Sequence, residues 1–260
     1  MIPKKIHYCW FGGNPLPELA KKCIASWKKY CPDYEIIEWN ESNFDINCCD
    51  YVKEAYDAKK WAFVSDVARL YALVKFGGIY MDTDVEVIKP LDDLLDYEAF
   101  SGFETKTQIP TGIMSCCESH TLFEEFLHDY DNEHFIKSDG SYDLTTNVAR
   151  ITNICLKYGL KLDDTFQTVN DFTLFPHDYF CPKNLDTGIV TVTDNTYTIH
   201  HFDGSWLSDE SKYELLLKRK YCKFLPKKMA GYMAKFNAVV KYRGLKKGLK
   251  ETTHWLIRKF

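Results

Sequence analysis

No apolar run in this chain is long enough to cross a bilayer, and neither a Gly-x-Gly-x-x-Gly nor a Cys-x-x-Cys spacing occurs. The first absence argues against a membrane-spanning helix. The second removes the dinucleotide fingerprint. The third removes zinc-ribbon spacing, although the chain has ten cysteines. The adjacent pairs Cys48-Cys49 and Cys116-Cys117 read as packing residues. Met1-Ile2-Pro3-Lys4-Lys5 runs straight into a short strand and shows no signal-peptide pattern. Free thiols and a cytoplasmic location are therefore expected. Hydrophobic residues at 45% and charged residues at 27% are those of a folded globular protein rather than a disordered one, and the length fits one large domain or a domain with an appendage.

What charge there is falls unevenly. Residues 212–260 hold 15 Lys and Arg against two acids, a segment charge of +13 beside −17 for the remainder. That tail is read as helices near Tyr213 to Tyr221 and Lys227 to Tyr242, with Met229, Met233, Phe236 and Val240 forming an apolar stripe. Trp255-Leu256-Ile257-Arg258-Lys259-Phe260 adds aromatics beside cations at the end. Two readings stay open: the tail packs on the acidic body, or it attaches peripherally to an anionic membrane, at the inner face.

The chain is organised around Trp61 to Pro90 (WAFVSDVARLYALVKFGGIYMDTDVEVIKP). Phe63, Val67, Leu70 and Val74 recur at helical spacing, and other apolar residues fill most of the circumference, which predicts a buried helix over 61–76. Gly77-Gly78 end it. Ile79, Tyr80 and Met81 then read as a short strand that delivers Asp82 and Asp84 with their side chains on one face. Such a carboxylate pair suits a hard divalent cation. Within the helix Asp66 and Arg69 lie side by side, and either satisfy each other or hold a polar ligand. Glu86 continues the alternation but is left out of the site, because Pro90 and Asp92-Asp93 suggest that the chain is reaching the surface.

Upstream, Ile2 to Trp10 reads as the first strand, Phe11 to Pro15 as a loop, Pro17 to Tyr30 as a helix and Tyr34 to Trp39 as the second strand. Strand and helix in alternation predict an α/β fold with a largely parallel sheet. Ligands of such sheets sit beyond the carboxyl ends of the strands, where Trp10 and Asp82 fall. Trp10 is either core or a platform for a flat base. Downstream, strands are expected at Ala99 to Phe103, Thr111 to Ser115 and Thr196 to His201, and helices at Thr121 to Tyr130 and Thr145 to Tyr158.

The run SDVARLYALVKFGGIYMDTDV, the opening IHYCWFGG and the late HHFDGSW together resemble glycosyltransferase family 32, the DXD sugar transferases of yeast mannan initiation and bacterial capsule and lipopolysaccharide synthesis, with a distant likeness to the glucosylating clostridial toxins. The resemblance covers roughly residues 2 to 206. It implies a GT-A type, Rossmann-like α/β catalytic domain over residues 1–210, followed by a basic helical appendage over 211–260. It also implies a Mn²⁺- or Mg²⁺-dependent, retaining transfer of a hexose from a nucleotide-sugar donor, UDP-sugar favoured, to a glycan or lipid-linked glycan acceptor, with no nucleic acid partner.

By the same resemblance Trp10 stacks on the base, and Asn43 and Tyr80 contact the nucleotide. Asp66 and Arg69 hold the donor sugar and its neighbouring groups. Asp82 and Asp84 serve the metal, His200 completes its shell, and Ser205 and Trp206 contact phosphate. Thr146 and Asn147, in a segment that lines the sugar pocket in relatives, are not assigned. Two other readings are a haloacid-dehalogenase-type phosphatase, against which Glu86 stands where Thr or Val is wanted, and a non-catalytic carbohydrate-binding protein.

Overall fold

The computed structural model describes residues 1–105, 107–204 and 207–250. The chain divides into two compact units, residues 1–182 with 191–201, and residues 183–190 with 202–260.

The first unit is an α/β structure around a seven-stranded sheet. Its elements in chain order are β1 (Lys5–Cys9), α1 (Glu18–Tyr30), β2 (Glu35–Trp39), α2 (Asp50–Asp57), α3 (Trp61–Phe76), β3 (Gly78–Met81), β4 (Val85–Val87), β5 (Ala99–Gly102), β6 (Ile113–Cys116), α4 (Thr121–His128), α5 (Asn147–Lys157), β7 (Gln167–Val169), β8 (Phe172–Phe175), α6 (His177–Phe180) and β9 (Thr198–His200). The sheet order is β2-β1-β3-β6-β5-β8-β7, and β4 pairs with β9 in a separate ribbon. The β2–β1, β1–β3 and β5–β8 pairs are parallel and the other three antiparallel, so five strands run one way and β6 and β7 run against them. The mostly parallel α/β sheet of the GT-A type expectation is present.

β1 is buried on both faces because a helix covers each one. Tyr8 meets Trp27 of α1 at 5.7 Å between ring centroids, and His7 on the other face meets Phe76 of α3 at 6.5 Å. His7 is a satisfied core residue: Trp39 Nε1 donates to its Nδ1 at 3.1 Å, and its Nε2 lies 2.8 Å from the Gly77 carbonyl. Burial pushes its pKa down to about 4, which keeps the ring neutral. The helix predicted over 61–76 has those bounds and is buried along most of its length. It ends where Gly77 and Gly78 adopt φ of 58° and 108°; a Cβ on Gly77 would fall 2.8 Å from the Glu118 backbone nitrogen, so only glycine allows the reversal.

One expectation is corrected. Asp82 to Asp84 do not continue the strand. They form a turn closed by Val85 N–H on the Asp82 carbonyl at 3.0 Å, and this turn rather than strand alternation brings the two carboxylates together. Val85 and Val87 are fully buried in β4, where Trp27 Nε1 donates to the Val85 carbonyl at 2.8 Å, and the chain reaches the surface at Pro90 and Asp92-Asp93, as expected. α2, α6 and the β7–β8 hairpin were not anticipated, because elements this short carry little periodic signal.

The second unit contains α7 (Asp209–Tyr221) and α8 (Lys227–Arg243), followed by a helical turn from Leu245. The buried residues of α8 are Ala230, Ala234, Ala238 and Val239, not the stripe of Met229, Met233, Phe236 and Val240. Met229 and Met233 are exposed, while Phe236 and Val240 back onto Gly248. Residues 183–190 join this unit through Asp186, which pairs with Lys218 and Lys227, and through Arg219, which donates to the Leu185 carbonyl at 3.2 Å. Among the described residues no helix is long and apolar enough to cross a membrane. All ten cysteines are unpaired. Trp255 to Phe260 lie outside the described residues.

Candidate active site

The carboxyl ends of β2, β1, β3, β5 and β8 point to one edge of the sheet, and the candidate residues collect at the end of β3. Asp82 N–H donates to the Gly112 carbonyl at 2.8 Å, which anchors the turn to the residue before β6. β4 then pairs antiparallel with β9, placing His200 opposite Val85. His200 Nε2 lies 3.3 Å from Asp84 Oδ1, and one ligand atom from each of Asp82, Asp84 and His200 falls within 4.8 Å of the others. Burial disfavours a charge on His200, but Asp84 outweighs it and holds the imidazole well above its ordinary range. His201 turns the other way, to Glu86 at 2.8 Å, and Lys22 completes that pair from α1. Only one of the two histidines faces Asp84, as strand alternation requires.

α3 supplies the floor. Arg69 is 6% exposed at its side chain, donates through Nη1 to the Thr111 carbonyl at 2.6 Å, and sits with Nη2 3.1 Å from Asp66 Oδ1 and 3.4 Å from Asp82 Oδ1. Its guanidinium also lies over the Tyr80 ring at 4.6 Å, and Tyr80 donates its hydroxyl to Asp82 Oδ1 at 2.8 Å. The open choice for Asp66 and Arg69 has a third answer, since the pair satisfies itself and also ties into Asp82. Burial pushes the Asp66 carboxyl up to about 6 despite Arg69. Burial works against the Arg69 charge too, but Asp82, Tyr80 and Asp66 outweigh it and raise its pKa.

Trp10, just past the end of β1, is partly exposed rather than core, and its Nε1 donates to the Asn14 carbonyl at 2.6 Å. Phe11, the next residue, is the buried one, against Phe44. Asn43 lies beyond the end of β2 with its amide engaged by its own turn: Nδ2 donates to the Glu38 carbonyl and Oδ1 accepts from Asn40 N–H. Ser205 and Trp206 lie outside the described residues.

Four residues at this edge were not anticipated. Asn147, the first residue of α5, is 1% exposed and donates through Nδ2 to the Asp66 carbonyl at 3.0 Å. Its only sequence signal was the loosely matching DLTTN. Thr111 and Gly112 seat Arg69 and Asp82 through carbonyls, and a Cβ on Gly112 would fall 2.8 Å from His200 Cε1. Backbone acceptors leave no mark in side-chain patterns. Glu104, two residues beyond β5, is pushed above the usual carboxylate range by burial and by Asp82 and Asp84, with His200 opposing.

Residues 17–101 match the family described as a glycosyltransferase sugar-binding region containing a DXD motif. That match covers about a third of the chain and includes the Asp82-Thr83-Asp84 run. It is 35% identical over 142 residues to inositol phosphoceramide mannosyltransferase 3 of Schizosaccharomyces pombe, covering 52% of this chain and 40% of that protein. It is 26% identical to an uncharacterized glycosyltransferase of Acanthamoeba polyphaga mimivirus, covering 86% and 92% respectively. A solved galactosyltransferase in complex with donor and acceptor sugar analogs aligns with 87% of the chain and 99% of its own length at 14% identity and a TM-score of 0.42. The chain thus spans less than half the length of the fission-yeast relative, and nearly all of the viral one. The family resemblance read from the DXD run holds.

Proposed function

We propose that this chain transfers a hexose from a nucleotide-sugar donor to a glycan or lipid-linked glycan acceptor, with a divalent cation held by Asp82, Asp84 and His200. The convergence of those three ligand atoms within 4.8 Å supports this reading most directly. Two carboxylates and an imidazole fit Mn²⁺ best, Mg²⁺ preferring oxygen alone. When bound, such an ion neutralises charge on a departing diphosphate.

The chain's own residues supply the rest. Trp10 stacks on the base beside the β3 end. Arg69, fixed by Thr111, places positive charge between Asp66 and Asp82, where the sugar and its phosphate meet. Tyr80 orients Asp82 through its hydroxyl, and Ser205 and Trp206 are assigned to phosphate. Asn43 has its side chain committed to its turn and shapes the nucleoside end through the backbone. Front-side displacement with retention is the mechanism that the family resemblance implies. UDP-sugars are the first donors to try, and the mannosyl transfer in the names of relatives adds mannosyl nucleotides.

Exposed Phe224, Met229 and Met233 among the lysines of the second unit support peripheral attachment to an anionic bilayer. Co-sedimentation with anionic and neutral vesicles at low and high salt, with and without residues after Leu225, tests it. Equal, negligible binding throughout removes it.

For the transferase reading, melting temperature is measured with UDP- and GDP-sugars in Mn²⁺ and in chelator, beside a hydrolysis assay. Mn²⁺-dependent stabilisation with slow nucleotide-sugar hydrolysis is expected. Preference for simple phosphate monoesters would return the phosphatase reading, and no hydrolysis at all the binding-protein reading. Trp10→Ala is expected to weaken donor binding by about 1–3 kcal/mol.

A further inference from the structure

We propose that Glu104 holds a hydroxyl of the transferred sugar and so helps to decide which hexose the site accepts. The inference rests on the transferase reading and adds a residue to it. Along the sheet edge the order of strand ends is β1, β3, β6, β5. Trp10 follows β1, the Asp82–Asp84 turn follows β3, and Glu104 follows β5, which runs parallel in direction to β3 and lies two strands away, about 10 Å. A nucleotide with its base at Trp10 and its diphosphate at the β3 end therefore directs its sugar toward β5.

Residues 103–105 and 107–112 connect β5 to β6 at this edge of the sheet. The Thr111 carbonyl grips Arg69, the Gly112 backbone lies against the His200 ring, and the first turn, Glu104 N–H on the Gln108 carbonyl at 2.9 Å, carries Glu104. The Glu104 side chain is half-buried, and its carboxylate is within electrostatic reach of His200, Asp82 and Asp84. Among the described residues it has no hydrogen bond and no ion pair, and its oxygens are not sealed from solvent. It is also not one of the three groups close enough together to share an ion. A half-buried carboxylate whose oxygens meet only water is open to a ligand donor in place of that water. A sugar hydroxyl, a neutral donor, fits beside two other acids where a further anion does not.

The test compares two affinities, both in Mn²⁺, by calorimetry on the full chain: UDP and GDP alone, and UDP-glucose, UDP-galactose and GDP-mannose. Glu104→Ala is expected to weaken the preferred nucleotide sugar at least about tenfold, the loss of a charged hydrogen bond. The parent nucleoside diphosphate should change less than about twofold. Glu104→Gln, which keeps an acceptor oxygen, should recover part of the loss. An equal loss for diphosphate and nucleotide sugar would make Glu104 a metal or scaffold residue, and no loss for either would take it out of the sugar site; both overturn the proposal. If the wild-type chain binds neither UDP nor GDP with Mn²⁺, the transferase reading itself fails, a separate outcome.

Discussion

Arg69 and Arg150 are both guanidiniums sunk into the same unit, at 6% and 11% side-chain exposure, and both are ringed by acids. Arg150 reaches Asp129, Glu133 and Asp143 at 2.9, 2.9 and 2.8 Å. Although burial alone would raise its pKa, Asp143 is held below the carboxylate range by Thr145, Arg150 and Lys137. Arg69 reaches its acids only at 3.1 and 3.4 Å and gives its shortest bond to a backbone carbonyl. Asp66 beside it, and Glu104 near Asp82 and Asp84, are pushed up. One cluster balances its charges and braces α5. The other holds Asp66 and Glu104 above the usual carboxylate range, as a site that receives a cation and a polar ligand does.

The sharpest way to break that contrast is Asp84→Ala. Transfer is expected to fall more than about 100-fold, with a cooperative unfolding transition retained in chelator, because Asp84 sits in a turn and its loss costs the fold only its pairing with His200. Near-normal turnover in Mn²⁺ would mean that the acids at β3 are as structural as those at Arg150. Next comes Gly112→Ala, whose added methyl meets the His200 ring. Mn²⁺ affinity should drop about 10- to 100-fold, as for other residues that orient metal ligands. Unchanged affinity would show that His200 is not a ligand.

Arg150→Met should behave in the reverse manner. Removing it strands Asp143 and costs about 1–3 kcal/mol of stability, moderated because Asp129 and Glu133 reach solvent. Urea denaturation reads this, and Mn²⁺ affinity of the folded variant should stay within about twofold. A metal-binding defect without loss of stability would erase the distinction between the clusters.

The smallest effect is in pH dependence, and its sign differs between the two. Asp66, raised in the fold to about 6, binds its proton more tightly folded than unfolded. Its contribution is therefore present at low pH and lost as pH rises from about 4 to about 6. Asp143, lowered in the fold, contributes above its unfolded pKa and loses that contribution as pH falls through its folded value. Melting curves from pH 3 to 7 should show Asp66→Asn flattening the fall between pH 4 and 6, and Asp143→Asn flattening the rise below it. Matching signs for both variants would contradict the contrast.

What the sequence by itself determined was local. The buried helix at Trp61 to Phe76 follows from periodicity, its end from Gly77-Gly78, and the opposite orientations of His200 and His201 from strand alternation. That Asp66, Arg69, Tyr80, Asp82 and Asp84 lie close together follows from their places on one continuous helix and strand and the turn after it. Tertiary structure alone decided what that segment faces. β4 pairs with β9 across more than a hundred residues to set His200 beside Asp84, and α5 brings Asn147 under Asp66. The β5–β6 loop delivers Glu104 and the Thr111 and Gly112 carbonyls. The register between distant strands depends on cooperative burial of both sheet faces, and a carbonyl acceptor has no residue type, so neither leaves a period or a motif in the chain.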